Sequence, residues 1–403
     1  MTKKPSYRFA GYTEPWEEKK LGEYAKYRRG SFPQPYGKKE WYGGEDSMPF
    51  VQVIDVTDNL TLVNDTKQKI SKQAQPKSVL APKGTVIVTL QGSIGRVAIT
   101  HYDTYVDRTL LIFESYNFPT HVGFWAYTIQ NKFEIERKKA PGGTIKTITK
   151  EALSSFEISL PSLPEQTTIG SFFQDIDQLI SLQQRKLEVL KEQKKTYLKL
   201  LFPAKGQKKP ALRFAGFEDE WKEVKLGEIG EIQTGNTPPT NEEDNYEKNG
   251  FPWVTPTDIN SLVLHTTSKQ LSEVGKSKAR IAKSGSILVT CIASIGKNTL
   301  VRTDSAFNQQ INSLTPSEKY SSYFLLTQSE IWSRYMLSVA GAGTMQIINK
   351  SDFSNIKTMV PSLPEQEAIG SFFQDLDKAI AKQEEKVNQL KESKQTLLRK
   401  MFI

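Results

Sequence analysis

The chain has 403 residues, of which 37% are hydrophobic and 10% aromatic, enough to form the cores of two or three domains. Its 54 Lys and Arg residues against 45 Asp and Glu give a formal charge of +9, which permits an acidic partner such as nucleic acid without establishing one. The single cysteine, Cys291, excludes an intramolecular disulfide and a cysteine-based metal cluster. Neither a long apolar run nor a signal peptide at Met1 is present, so we expect a cytoplasmic chain with no membrane partner.

The chain opens with RFAGY, a tryptophan and LGE, and the same elements return 205 residues later. Trp16 and its counterpart Trp221 could stack on bases. A tryptophan beside an LGE turn is more often a core anchor, and we favour that interpretation.

A turn-rich loop comes next in both copies, around Gly30 and Gly235. After it, Pro49–Val51 and Pro252–Val254 predict a strand. The residues between loop and strand have little in common in the two copies.

Two β-branched runs, Val86–Thr89 and Ile287–Thr290, predict buried strands, and each leads into a Ser-Ile-Gly sequence. A glycine turn of this kind could hold a phosphate. Because no P-loop pattern and no following helix are present, the sequence favours a hairpin instead.

Phe307–Asn312 concentrates amide side chains at the place where the first copy has Val106–Leu110. Aromatic-rich helices are predicted over Phe118–Arg137 and Tyr320–Leu337. Strands interleaved with helices indicate α/β or α+β globular parts. A short Gly-Thr segment follows each helix: Gly143–Lys146 and Gly343–Gln346.

The most specific feature is Pro161–Asp177, which recurs as Pro361–Asp377 with only three differences in 17 positions. The chain is therefore an internal duplication with a period near half its length, far longer than a solenoid repeat. Ser162 and Glu165 match a capping box at the start of a helix.

From each of these starts, apolar residues recur at helical spacing for about five heptads, which predicts a helix about 58 Å long. Such a helix requires a coiled-coil partner, and its own duplicate is the obvious one. Four polar residues interrupt the two apolar stripes at matching places: Gln183, Gln383, Lys194 and Lys394. They either fix the register of the pair or face a further protein, and we favour the first interpretation.

Catalytic and metal-binding patterns are missing from the sequence. The three histidines, His101, His121 and His265, have no metal-ligand spacing, and no GxSxG, Walker A or GxGxxG motif occurs. Asn236–Pro239 has only a passing likeness to the Asn-Pro-Pro-aromatic motif of amino-methyltransferases, because the order of its residues differs. We predict no catalytic residue and no metal site.

Together these features resemble the specificity subunit of type I restriction–modification systems. The resemblance is carried by the twin PSLPEQ–IGSFFQD helix starts, the twin LGE openings, Thr234–Pro239, Pro252–Asp258, Phe307–Asn312 and Gly343–Gln346. It implies two duplicated α/β (α+β) target-recognition domains, joined and separated by two long antiparallel coiled-coil helices around a pseudo-twofold axis. The corresponding segments are 1–160 and 205–360 for the domains, and 161–204 and 361–403 for the helices.

The resemblance also implies a non-catalytic subunit that binds double-stranded DNA, each domain reading one half of a bipartite, asymmetric site. The helices would hold two adenine methyltransferase subunits, and restriction subunits would join. This chain would need no cofactor, whereas its partners would use S-adenosylmethionine, and ATP with Mg²⁺ for restriction.

Amides pair with adenine and Arg or Lys with guanine in the major groove, so such residues in the variable segments are candidate readers. The candidate DNA-binding residues are Arg28, Arg29, Gln34, Lys38, Lys39, Arg96, Arg108, Lys146, Asn236, Thr237, Lys297, Asn308, Gln309, Gln310, Thr344 and Gln346. The first copy departs from the family pattern, with Arg29–Pro33 where Gly-Thr-Pro is usual. The candidate subunit-interface residues are Phe172, Phe173, Ile176, Phe372, Phe373 and Leu376.

Two other functions are compatible with parts of the sequence. A DNA methyltransferase with fused recognition domains would bind the methyl donor itself. A coiled-coil scaffold with no DNA role would fail to shift DNA in a gel, with or without methyltransferase subunits.

Overall fold

The computed structural model describes residues 5–139, 150–340 and 347–402. They form two compact units: unit 1 contains residues 1–185 and 385–403, and unit 2 contains residues 186–384. Each unit therefore combines one globular domain with part of both long helices. The sequence-based division had instead given each helix a segment of its own.

The strands of unit 1 form a two-stranded sheet, β1-β10, and two four-stranded sheets with the orders β2-β9-β6-β7 and β4-β3-β8-β5. Their bounds are β1 (Glu17–Lys20), β2 (Ala25–Arg29), β3 (Met48–Val51), β4 (Gln68–Ile70), β5 (Val79–Ala81), β6 (Val86–Thr89), β7 (Val97–Ile99), β8 (Thr104–Val106), β9 (Leu110–Tyr116) and β10 (Glu157–Leu160). β3 pairs with β8 in parallel, and the other pairs are antiparallel.

Unit 2 repeats this arrangement with the orders β11-β20, β12-β19-β16-β17 and β14-β13-β18-β15. The bounds are β11 (Lys222–Lys225), β12 (Gly230–Thr234), β13 (Tyr246–Val254), β14 (Lys269–Leu271), β15 (Ile281–Ala282), β16 (Ile287–Thr290), β17 (Asn298–Leu300), β18 (Ser305–Phe307), β19 (Ile311–Pro316) and β20 (Lys357–Val360). The strand predicted at Pro252–Val254 extends back to Tyr246, across a bulge, into the stretch that has little in common with the first copy.

The helices include two long ones that begin at the duplicated motif, as predicted. The helices are α1 (Leu21–Tyr24), α2 (Val122–Lys139), α3 (Lys150–Ser154), α4 (Leu163–Leu200), α5 (Leu226–Ile229), α6 (Glu273–Ser277), α7 (Ser322–Ala340), α8 (Lys350–Ser354) and α9 (Leu363–Met401). The aromatic-rich helices predicted near residues 118 and 320 are α2 and α7, and each begins a few residues later than predicted.

The core of each unit lies between its helices and the sheet that contains β6 or β16. The β-branched runs of both strands are entirely buried, which confirms the prediction from the sequence. Trp16 and Trp221 are also buried, with Trp16 packed edge-on against Phe124 at 5.8 Å, so both are core anchors.

The buried Glu165 does not behave as the expected capping residue. Its carboxylate accepts two hydrogen bonds of 2.6 Å from the guanidinium of Arg8 and one of 3.4 Å from Trp16 Nε1. Glu365 receives the same bonds from Arg213 and Trp221. The RFAG and tryptophan opening of each copy is thus fixed to the start of the long helix in the same unit.

In unit 1, the first half of α4 packs against the last part of α9. The rings of Phe173 and Phe402 are 5.8 Å apart, and Lys394 Nζ lies 2.5 Å from the Asp177 carboxylate. Phe173 meets Phe402, whereas Asp177, later in α4, meets Lys394, earlier in α9. The two helical segments are therefore antiparallel.

Unit 2 contains the matching contacts between the other parts of the same helices. The rings of Phe373 and Phe202 are 6.1 Å apart, and Lys194 Nζ lies 3.0 Å from Asp377 and 2.6 Å from Glu330. Lys194 and Lys394 therefore form ion pairs within the chain, as the register interpretation requires.

The aromatic residues expected at a subunit interface lie largely inside the two units. Phe173 and Phe373 are fully buried in the cores of units 1 and 2, so they leave no surface for another subunit, and this part of the assignment is corrected. The other four are only partly buried, at the margins of the same cores: Phe172, Ile176, Phe372 and Leu376.

Candidate nucleic-acid interface

The candidate DNA readers converge because of how one sheet in each unit is ordered. In the sheet β2-β9-β6-β7, the ends of β2 and β6 lie beside the starts of β9 and β7, as shown by the pairs Arg29 with Leu111 and Thr89 with Leu110. We call residues 28–34, 90–96 and 107–109, which meet there, loop edge 1. The corresponding residues of unit 2, 233–239, 291–297 and 308–310, form loop edge 2.

A glycine closes each loop edge by allowing two backbone segments to touch. Gly30 donates to Leu110 at 3.0 Å, and a Cβ atom at Gly30 would lie only 2.2 Å from the carbonyl oxygen of Val106. Gly235 is equally constrained, with a Cβ atom 2.3 Å from the Phe307 oxygen. No side chain fits at either position, which explains why both copies have glycine there.

A fourth segment joins each loop edge through a lysine that sequence reasoning missed. Ser31 Oγ donates to the carbonyl of Lys77 at 3.2 Å, and Asn236 Nδ2 donates to the carbonyl of Lys278 at 2.7 Å. The two lysines are 201 residues apart, the same offset as the Ser-Ile-Gly turns, and that offset was the signal that could have found them.

The seven described candidates of unit 1 lie at loop edge 1 or in the loop that follows β2. Most are exposed and Arg96 is partly so: Arg28, Arg29, Gln34, Lys38, Lys39, Arg96 and Arg108. Arg96 lies 3.0 Å from Asp58, while Cζ of Arg108 lies over the exposed ring of Tyr36, 5.6 Å from its centroid. Lys77 Nζ lies 4.7 Å above the ring of the buried Trp41. Loop edge 1 is therefore basic and aromatic.

In unit 2, two of the predicted readers hold the backbone in place. The amide of Asn236 accepts from Arg280 N at 2.7 Å in addition to its bond to Lys278. Asn308 Oδ1 accepts from Gln310 N at 2.8 Å, and its Nδ2 donates to Thr237 at 3.1 Å. Asn236 and Asn308 therefore hold neighbouring segments of loop edge 2 in position.

The remaining described candidates of unit 2 are accessible. Gln309 and Lys297 are exposed, Gln310 is half-buried, and the hydroxyl of Thr237 donates a short hydrogen bond to Gln309 Oε1. Loop edge 2 therefore presents amides where loop edge 1 presents arginine.

The Ser-Ile-Gly sequences form the hairpin turns that were predicted, between β6 and β7 and between β16 and β17. In each turn a buried threonine accepts from the backbone nitrogen of the residue after glycine. Thr89 accepts from Arg96 at 3.0 Å, and Thr290 accepts from Lys297 at 2.9 Å. The backbone of Arg96 and Lys297 is therefore held in place by a threonine within each turn.

Burial and hydrogen bonding set the charges of the acidic groups near the two edges. Burial raises the pKa of Asp107 despite hydrogen bonds from Thr109. Burial alone would also raise the pKa of Asp258, but bonds from Thr255 and Ser268 outweigh it and lower that pKa. Burial raises the pKa of the Cys291 thiol to about 12, so this thiol stays protonated and unreactive.

Three candidates, Lys146, Thr344 and Gln346, lie outside the described residues. The chain is described again from Ile347, which forms a bridge with Ile292, and Ile348 N donates to the Cys291 carbonyl at 2.9 Å. Ile347 and Ile348 therefore lie at loop edge 2.

Within residues 5–139, 150–340 and 347–402, no group of His, Cys, Asp and Glu side chains could hold a metal ion. His121 instead accepts from Phe124 N at 3.2 Å at the start of α2, and burial lowers its pKa. Over the same residues, no helix combines the length and apolarity needed to cross a bilayer.

Comparison with known proteins identifies the family. The family model described as "Type I restriction modification DNA specificity domain" matches residues 13–192 and 218–392. The chain is 23% identical to the type I restriction enzyme MjaVIII specificity subunit of Methanocaldococcus jannaschii, over 96% of this chain and 91% of that protein. It is 28% identical to the MjaIX specificity subunit of the same organism, of which it spans 40%, and 32% identical to the HindI specificity subunit of Haemophilus influenzae, of which it spans 32%.

Solved structures show the same fold. The type I restriction–modification S subunit from M. genitalium aligns over 100% of this chain and 99% of that one, with a TM-score of 0.67 and 15% identity. The duplicated α/β units with their two long helices are thus the architecture of that subunit. The chain therefore belongs to the family of type I restriction–modification specificity subunits, the non-catalytic subunits that recognise DNA.

Proposed function

We propose that each loop edge reads one half of a bipartite, non-palindromic DNA site. The observation that carries this proposal is that the two units repeat one scaffold but present different side chains. The backbone hydrogen bonds at Gly30 and Gly235, for example, have matching partners, Leu110 and Ile311. Loop edge 1 has Arg108 where loop edge 2 has Gln309, so the two would prefer different bases.

The basic residues at each edge divide into two roles under this proposal. Arg96 and Lys297 stand at fixed hairpin turns, and Lys77 and Lys278 flank the reading turns, positions suited to contacts with the DNA backbone. Such contacts give affinity without sequence information, and their strength falls as salt rises.

The long helices would carry the other subunits. We propose that α4 and α9, with the adjoining surfaces, hold two adenine methyltransferase subunits, to which restriction subunits are added. A solved chain with a TM-score of 0.57 and 18% identity comes from work on "complex assembly and conformational transition of the type I R-M system", which supports this proposal. The methyltransferase subunits would bind S-adenosylmethionine and the restriction subunits ATP with Mg²⁺, while this chain would need no cofactor.

An exchange variant tests the assignment of one edge to one half-site. Residues 308–310 (Asn-Gln-Gln) are replaced by their counterparts 107–109 (Asp-Arg-Thr), and the chain is co-expressed with methyltransferase subunits that it activates. Sequencing of the methylated adenines should show a change in one block of the site and none in the other. A change in both blocks would contradict the proposal.

The helices should set the number of unread bases between the blocks. Inserting one heptad, about 10 Å of helix, into both α4 and α9 should alter the spacer and leave both blocks intact. An insertion that rewrites either block would argue against this role.

A further inference from the structure

We propose that Arg108 and Gln309 are matched base-reading residues, and that they read guanine in the block of unit 1 and adenine in the block of unit 2. This inference rests on the proposed function and adds the residue and the base to it.

The two residues occupy the same position in matching turns. In unit 1, Leu110 N donates to the Asp107 carbonyl at 3.0 Å, which makes Arg108 the second residue of a tight turn between β8 and β9. In unit 2, Ile311 N donates to the Asn308 carbonyl at 3.0 Å and places Gln309 identically.

Each turn is also tied to the neighbouring sheet. Asp107 N donates to the Val51 carbonyl at 3.0 Å, and Asn308 N donates to the Val254 carbonyl at 2.9 Å. The tip residue is the most accessible of each turn, because Arg108 and Gln309 are exposed, whereas Asp107 is buried and Thr109, Asn308 and Gln310 are half-buried. A fixed turn with one exposed polar tip can hold a side chain against a base edge.

Arg108 is supported in a way that suits guanine. Its guanidinium lies over the ring of Tyr36, with 5.6 Å between Cζ and the ring centroid. A guanidinium held over an aromatic face by cation–π attraction keeps its N–H groups free to donate to another partner. Guanine presents two acceptors, O6 and N7, to such a pair of donors.

Gln309 is supported in a way that suits adenine. The Thr237 hydroxyl donates to Gln309 Oε1, and Asn308 Nδ2 donates to Thr237, so the amide has one defined orientation. Oε1 retains a second lone pair for the N6 amino group of adenine, while Nε2 can donate to N7. The same threonine cannot orient a guanidinium in this way, since a guanidinium has no acceptor.

The test is reciprocal substitution, read by sequencing the methylated adenines in cells that contain the chain with its methyltransferase subunits. Arg108→Gln should shift one base of one block from guanine to adenine, with a change in preference of roughly 5- to 150-fold. Gln309→Arg should shift one base of the other block from adenine to guanine. Lys83→Gln is the matched control: it removes one charge at the start of β6, the opposite end of the sheet, and should change no base.

A third variant, Tyr36→Leu, keeps Arg108 but removes the ring beneath it. It should relax the preference at the same guanine by roughly 2- to 5-fold and leave every other position unchanged. If Arg108→Gln abolishes methylation altogether, Tyr36→Leu and Gln309→Arg test the inference instead. Each should change the base preference at one position of one block and at no other position.

The outcomes separate this inference from the proposed function. A wild-type site that is continuous or palindromic overturns the proposed function. A bipartite wild-type site with methylation by the variants at unchanged bases overturns the assignment of Arg108 and Gln309 alone, as does a unit 1 block without guanine.

Discussion

At the scale of single residues, the glutamate of the duplicated PSLPEQ motif shows how far a local pattern can mislead. The spacing of Ser162 and Glu165 matches a capping box, yet the carboxylate of Glu165 is only 1% exposed and is bound by Arg8. Arg8 lies 157 residues earlier in the chain, so no window of sequence around the helix start contains it. Only the recurrence of RFAG and PSLPEQ in both copies hinted that the two motifs act together.

Replacing this glutamate should destabilise unit 1. Glu165→Gln weakens two bonds to the Arg8 guanidinium, and hydrogen bonds to charged groups contribute ~1.5–3 kcal/mol each. We expect the free energy of unfolding to fall by about 2 kcal/mol, measured by urea denaturation. Glu114→Gln is the control, because Glu114 is exposed and 3.8 Å from Arg28, and it should change stability little. Equal effects of the two variants would show that the buried pair adds nothing.

Asp258 should make the stability of unit 2 depend on pH. Its pKa lies below the ordinary value of 3.8 because hydrogen bonds from Thr255 and Ser268 outweigh burial, so the folded state favours the carboxylate. The stabilisation is then complete above that ordinary value and is lost as pH falls through the lower pKa of the folded state. The difference in unfolding free energy between wild type and Asp258→Asn should shrink below pH 3.8, whereas Asp244→Asn, at an exposed position, should differ little from wild type at any pH. A difference that grows on acidification would reverse the sign and refute this account.

At the scale of elements, the strands of the core could be predicted and the loop edges could not. Val86–Thr89 and Ile287–Thr290 match β6 and β16 residue for residue, because a short β-branched run has few alternatives. By contrast, the cation–π contact of Arg108 with Tyr36 depends on bringing together a turn and a loop 72 residues apart in the sequence. Tertiary contacts of that kind leave no local pattern.

The sequence predicted that Lys194 and Lys394 interrupt the apolar stripes of the long helices at matching places. It did not predict the residues with which these lysines pair. Lys394 is held by Asp177 inside unit 1, and Asp177 also accepts a short hydrogen bond from Tyr127. Burial together with the Asp177 charge raises the pKa of Tyr127, which therefore stays a neutral donor.

Removing the lysine alone should cost more than removing the pair. Lys394→Met leaves Asp177 without its cation in a largely buried place and should lower the free energy of unfolding by about 3 kcal/mol. Lys394→Met combined with Asp177→Leu should recover most of that loss, since apolar residues of similar volume often replace a buried pair without penalty. Chemical denaturation of both variants measures this, and additive losses would show that the two residues do not interact.

At the scale of the whole molecule, the start of each globular domain is hydrogen-bonded to the end of a long helix in the same unit. Tyr7 N donates to the Lys400 carbonyl at 3.0 Å in unit 1, just as Leu212 N donates to the Leu200 carbonyl at 2.8 Å in unit 2. The first described residues thus lie at the end of α9, as was expected from antiparallel pairing. In unit 2, residues 201–211, which include the polar segment 205–210, connect the two corresponding positions covalently.

A circularly permuted chain should therefore keep its function. Joining residue 403 to residue 1 through a short polar linker and opening the chain between Lys205 and Pro210 leaves both hydrogen bonds available. We expect the same methylated sequence as wild type when the permuted chain replaces it. Opening the chain inside β6, at Ile87, is the control and should abolish folding, because that strand is fully buried. A permuted chain that folds but methylates a different sequence would show that connectivity, and not the two edges, sets the target.

The most direct test is the sequence that the wild-type chain specifies. Adenine methylation should be mapped across the genome of a host that expresses the chain with methyltransferase subunits it activates. We predict a site of two short, different blocks around a spacer of unread bases, with one methylated adenine per block on opposite strands. A continuous or palindromic site would contradict the proposal that two chemically different loop edges on one repeated scaffold read the DNA.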